Sequence, residues 1–147
     1  HGKPVLPGGP GFSLTHAADL VGVAVHPGGA VGLDVEQVRA LSDLAAMAEH
    51  ARSPQESVPD AQAFFTLWTR KEALLKAAGT GLASPMSAIT LGPSGVRDWT
   101  GDDAPREPLW LRDLHPAPGY RAAVAGTGDL PEITERSGDA LLGRQAR

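Results

Sequence analysis

The chain has 147 residues, 41% of them hydrophobic and 20% charged, an ordinary composition for one globular domain with a real core. Its formal charge of −4 includes no long run of like charges, which argues against a nucleic-acid arm or a basic membrane-binding face and requires any anion to be bound locally. There are no cysteines, so disulfides, thiolate metal sites and a cysteine nucleophile are excluded, and no apolar stretch approaches the ~20 residues of a membrane span.

No signal-like segment opens the sequence, and a reducing, cytoplasmic setting is expected. The first residue is His1, so translation is expected to start further upstream. Ten arginines stand against three lysines, Lys3, Lys71 and Lys76, which makes the position of each lysine informative.

In chain order, residues 1–11 (HGKPVLPGGPG) carry too many glycines and prolines for a helix or a central strand and read as a leading loop. Phe12, Leu14 and His16 then alternate with Ser13 and Thr15, and Val21, Val23 and Val25 alternate with Gly22 and Ala24, two strand patterns. HPGGA at 26–30 is a turn, and VGLDVE at 31–36 is a third strand. Three short strands in succession predict an antiparallel meander.

A short helix is predicted over Leu41 to Ala51 with Ser42 as N-cap, and a longer one from about Pro59 or Asp60 to Ala78 with Gly79 as its left-handed terminator. Weaker strand signals follow at 89–91, 109–114 and 120–125, separated by a polar loop at 92–108 and ending in a polar tail. The fold class is therefore α+β: an antiparallel sheet of three to five strands with one long helix packed on it through Phe64, Leu67, Leu74 and Leu75.

Strand alternation sends Val31, Leu33 and Val35 to the core and puts Asp34 and Glu36 together on the opposite face, about 7 Å apart. Such a pair can share one hard cation, and magnesium commonly takes one or two carboxylates plus substrate phosphates. Taken alone, the pair also fits a solvated acidic face. On the long helix, Lys71 falls near the middle of the apolar arc, where its ammonium must find water or an anion. Glu72 and Lys76 lie on the adjoining face at the i, i+4 spacing of an ordinary surface pair. Combined, a third carboxylate beside Asp34 and Glu36 and lysines beside all three point to phosphate chemistry.

The order of four segments, GKP at 2–4, FSLTH at 12–16, GLDVE at 32–36 and WTRKEALLKAAGTG at 68–81, resembles the two-lobed 4′-phosphopantetheinyl transferases, the type that activates surfactin synthetase. The resemblance implies the half-fold of that family, with residues 1–30 ending an N-terminal lobe, 31–126 forming the C-terminal lobe and 127–147 a peripheral or disordered tail. It implies transfer of 4′-phosphopantetheine from coenzyme A to a serine of an acyl or peptidyl carrier protein, releasing adenosine 3′,5′-bisphosphate. Asp34, Glu36 and Glu72 correspond to ligands of magnesium, for which manganese can substitute. Thr15 and His16 correspond to positions that touch phosphates of coenzyme A, His16 near the 3′-phosphate, and Lys3 belongs to a loop that also touches it. Lys71 and Lys76 sit where the family places phosphate-handling lysines, and Glu72 is the implied general base.

Family members carry a further N-terminal half, expected in the same longer protein. Ser13 and Thr15 stand where the family often has Asn and Ser. Two alternatives remain at this point: a non-catalytic fragment that binds carrier protein, and the single-lobed holo-acyl-carrier-protein synthase. In the latter the aspartate comes early and the histidine late, the reverse of the order here.

Overall fold

The alternating segments at 11–26 fold into a hairpin of two antiparallel strands, β1 (Gly11–Ala17) and β2 (Leu20–His26), with Phe12 opposite Val25 and Leu14 opposite Val23. The computed structural model describes residues 3–80 and 83–143; Gly2 and Gly81, the ends of two of the motifs above, lie outside them. Strand β3 (Val31–Gln37) does not extend the hairpin into a meander. It pairs instead with β7 (Tyr120–Thr127), Asp34 opposite Ala123, and the sheet runs β3-β7-β6 with β6 at Leu109–Leu114.

The meander fails because the second edge of β3 is served by side chains. Ser13 Oγ accepts the Leu33 N–H at 3.0 Å and Thr15 Oγ1 accepts the Val35 N–H at 3.2 Å, while Lys76 Nζ donates to Leu33 O at 2.8 Å and Lys3 Nζ donates to Val31 O. A strand edge must satisfy its backbone groups, and here four polar side chains take the place of a neighbouring ladder. The hairpin is therefore turned over relative to its apolar pattern: Ser13 and Thr15 are buried, whereas Leu14 and Val21, Val23 and Val25 are more than half exposed.

Helix α1 (Leu44–Ala51) starts later than the pattern suggests, because Asp43 rather than Ser42 is the N-cap, its Oδ1 accepting the Ala46 N–H at 3.0 Å. Helix α2 (Ala61–Ala78) is capped by Asp60, whose Oδ1 accepts the Ala63 N–H at 2.8 Å, and it ends at Gly79 with φ +73°. It lies against β3 and β7 so closely that a side chain on Gly32 would collide with the backbone of Ala73 and Ala77. Phe64, Leu74 and Leu75 are buried as the helical wheel predicts, and Leu67 only partly. Phe65, Thr69, Ala73 and Ala77 are buried too, since the helix is covered by the sheet on one side and by α1, itself packed on a 3-10 turn at Met86–Ala88, on another.

The stretch 92–108 holds a strand that its polarity conceals. β4 (Ile89–Gly92) turns through Pro93 and Ser94 into β5 (Gly95–Trp99), with Gly95 at φ +125°. Residues 128–143 are almost wholly exposed and include a short helix, α3 (Gly138–Gly143).

Candidate active site

Close packing of α2 on β3 brings two motifs together. Asp34, on β3, is 6% exposed, and its Oδ1 accepts a hydrogen bond from Lys76 Nζ of α2 at 3.1 Å. Its Oδ2 is buried with no hydrogen-bond partner. Burial pushes the Asp34 carboxyl up to about 7; Lys76 pulls it down, and the charges of Glu36 and Glu72 push it further up. Glu36 and Glu72 are raised by the same cause, burial, with Lys76 opposing it in both and Glu36 adding to the rise of Glu72. Three carboxylates thus repel one another across a half-buried space into which one lysine projects.

Lys3 reaches the same place from the leading loop. Besides Val31 O, its ammonium donates to the Lys76 carbonyl at 3.3 Å, and burial and the Lys76 charge lower its pKa. Thr15 spends its hydroxyl oxygen on Val35, on the buried face of β1. His16 is the next residue along the strand, so it points the other way and is exposed.

Lys71 is not part of this group. Its side chain is fully buried, and its ammonium donates to Ala51 O at 2.6 Å, Glu56 Oε2 at 2.6 Å and Met86 O at 3.1 Å, which uses all three of its N–H donors. The expectation that it handles phosphate meets this obstacle: the apolar arc buries the stem, and the charge is answered inside the protein by Glu56. Neither Glu56 nor Ser13 was singled out from the sequence. Ser13 shares the strand face of Thr15 and was in principle legible, whereas Glu56 sits in an irregular segment with no pattern to mark it.

A cleft of about 960 Å³ opens beside the carboxylates. Lys3, Glu72 and Lys76 stand among its polar lining, and Phe12, Leu14, Trp68, Leu75, Pro85 and Met86 among its apolar lining. Such a cavity suits a ligand with a charged head and a long, mostly uncharged arm. Among the described residues no three His, Asp or Glu side chains converge tightly enough to hold a metal ion as they stand. The donor set nevertheless suits a hard divalent cation: three carboxylates of like charge, one with a buried oxygen lacking any partner. None of the helices is long and apolar enough among the described residues to cross a membrane.

Residues 30–125 match the 4′-phosphopantetheinyl transferase superfamily. The chain is 40% identical over 141 residues to the 4′-phosphopantetheinyl transferase HetI of Nostoc, covering 86% of this chain and 58% of HetI. It is 32% identical over 106 residues to AcpT of Salmonella typhi (65% of this chain, 55% of AcpT), and 28% identical over 154 residues to Sfp of Bacillus subtilis (97% and 68%). Both are named as 4′-phosphopantetheinyl transferases, and the chain spans little more than half the length of HetI and AcpT. By this match and by the fold that carries it, the chain belongs to the 4′-phosphopantetheinyl transferase superfamily.

Proposed function

We propose that the protein containing this chain is a 4′-phosphopantetheinyl transferase of the two-lobed type that activates surfactin synthetase. It would move 4′-phosphopantetheine from coenzyme A to a serine of an acyl or peptidyl carrier protein, in a cytoplasmic setting. The observation that carries the proposal is a cleft lined by Lys3, Glu72 and Lys76 together with apolar side chains, with Asp34 held against Lys76 beside it. Coverage of 97% of the chain by the match to Sfp supports the two-lobed type over the single-lobed synthase. The outward apolar face of the hairpin supports a further N-terminal portion in the same protein, packed on Leu14, Val21, Val23 and Val25.

In this reading Asp34, Glu36 and Glu72 would hold magnesium, or manganese, which when bound would supply charge neutralisation to the pyrophosphate of coenzyme A. The pantetheine arm lies along Trp68, Leu75 and Met86. The serine oxygen attacks the phosphorus bearing that arm, the bond to the departing 3′,5′-bisphosphate breaks, and the serine proton passes to Glu72 directly or through a water. Burial raises the Glu72 pKa, and Lys76 opposes the rise. Lys76 spends two donors on Leu33 O and Asp34 and keeps a third for the leaving bisphosphate; Lys3 likewise keeps one for a phosphate. His16, exposed, faces outward for the 3′-phosphate, and Thr15 acts by fixing β1 on β3.

The test is incorporation of labelled phosphopantetheine into an apo carrier protein with magnesium, run on the whole protein alongside calorimetry with coenzyme A. Transfer supports the proposal. Carrier binding without coenzyme A binding or transfer would leave the non-catalytic reading in its place.

A further inference from the structure

The buried Lys71–Glu56 pair joins more of the molecule than any other ion pair described. Lys71 Nζ, from α2, holds Ala51 O at the end of α1 and Met86 O in the 3-10 turn. Glu56 Oε2 accepts the Ser53 N–H at 2.7 Å as well as Lys71, and Glu56 Oε1 accepts the Leu91 N–H of β4 at 2.7 Å. Four segments therefore meet at one charge pair. Two of them are walls of the cleft: His50 precedes Ala51, and Met86 itself lines it.

A buried ion pair is weak evidence for stability, because desolvation offsets much of the attraction and a well-packed neutral pair is often as good. A four-way tie with every donor used has another consequence: it fixes where the segments lie relative to one another. We propose that Lys71 is a positioning residue. Its own ammonium holds the α1 end and the Met86 turn, and Glu56 ties these to Ser53 and β4, at the spacing that admits the uncharged pantetheine arm; Lys71 touches no phosphate. This rests on the functional reading above and assigns Lys71 a role different from that of Lys76 on the same helix.

The variant that tests it is Lys71→Met with Glu56→Gln, which removes both charges and keeps both stems, made in the whole protein. Coenzyme A carries the arm; adenosine 3′,5′-bisphosphate does not. Expected is a folded double variant whose affinity for coenzyme A falls about tenfold while its affinity for the bisphosphate holds. In turnover KM for coenzyme A should rise with kcat little changed, the pattern of a lost binding contact. Unchanged coenzyme A affinity, or equal loss for both ligands, overturns the proposal.

If the double variant does not fold, hydrogen exchange on the wild type decides. Coenzyme A should then slow exchange at the Ser53 and Leu91 amides together; protection of one without the other overturns the tie. A wild type that binds no coenzyme A is a different result, since it removes the functional reading itself.

Discussion

Lys76 Nζ lies 3.1 Å from Asp34 Oδ1, so the cation of the WTRKEALLK helix rests on the carboxylate of the GLDVE strand. With Asp34 8% exposed by its side chain and Lys76 30%, the pair is buried on one side and solvated on the other. Lys76→Met should therefore destabilise the protein by about 1–3 kcal/mol, below the ~3–5 kcal/mol of breaking a fully buried pair. Urea denaturation at pH 8, where Asp34 is ionised, measures it. A change within about 0.5 kcal/mol would mean that water already answers the Asp34 charge.

The pH dependence follows from the direction of the Asp34 shift. Its carboxyl titrates at about 7 in the folded protein and near 3.8 when unfolded, so the folded state holds the proton more tightly. Stability should then fall as pH rises from about 4 to about 7, where the folded group loses its proton. Glu36 and Glu72, also raised, add to the same trend. Asp34→Asn should flatten that part of the curve, read as the midpoint of thermal unfolding across buffers. On the proposed function, magnesium should restore stability above pH 7 in the wild type more than in Asp34→Asn.

The approach of β3 to α2 rests on one missing side chain. Gly32→Ala puts a methyl into the backbone of Ala73 and Ala77, neither of which can rotate away, so β3 or the helix must shift. A loss of about 1–3 kcal/mol is expected, the usual cost of overpacking. The shift would also change both the burial of Asp34 and its distance from Lys76, so the apparent pKa of Asp34, followed by NMR of its carboxyl carbon, should move. Gly79→Ala is the comparison: it strains the left-handed cap but meets no atom, so it should cost stability without moving Asp34.

Much of this was legible in the sequence where a local rule had no rival. Asp60 and Gly79 bound α2 because capping chemistry is local, and β6 and β7 follow their apolar runs. The hairpin shows where such reading stops. Phe12, Leu14 and the alternating valines look like a core face, yet the polar face of β1 is buried because Ser13 and Thr15 answer backbone N–H groups of a strand twenty residues away. Alternation puts Asp34 and Glu36 on one face of β3, and the Glu36 charge acts on Asp34, but nothing in the helix pattern separates Lys71 from Lys76, because Glu56, which pairs with Lys71, lies in an irregular segment.

Glu72 separates chemistry from stability most sharply. Its carboxyl is raised mainly by burial, so in the folded protein its charge is held at a cost. Glu72→Gln removes that charge and keeps the shape, and stability near neutral pH should hold or rise slightly. A surface partner of Lys76 would behave otherwise: losing a solvated i, i+4 pair should lower stability by a few tenths of a kcal/mol and leave transfer intact. As the base of the proposed transfer, Glu72 cannot be spared. An amide neither accepts the serine proton at neutrality nor brings a negative charge to the cation, and loss of general-base action alone typically costs 10²–10⁴-fold in rate. The measurements are thermal unfolding at pH 7 and labelled phosphopantetheine transfer under saturating magnesium, on the same preparation of the whole protein. Equal or higher stability with transfer reduced at least a hundredfold is the expected pair of results. Near-normal turnover would take Glu72 out of the mechanism and return it to the surface of a helix.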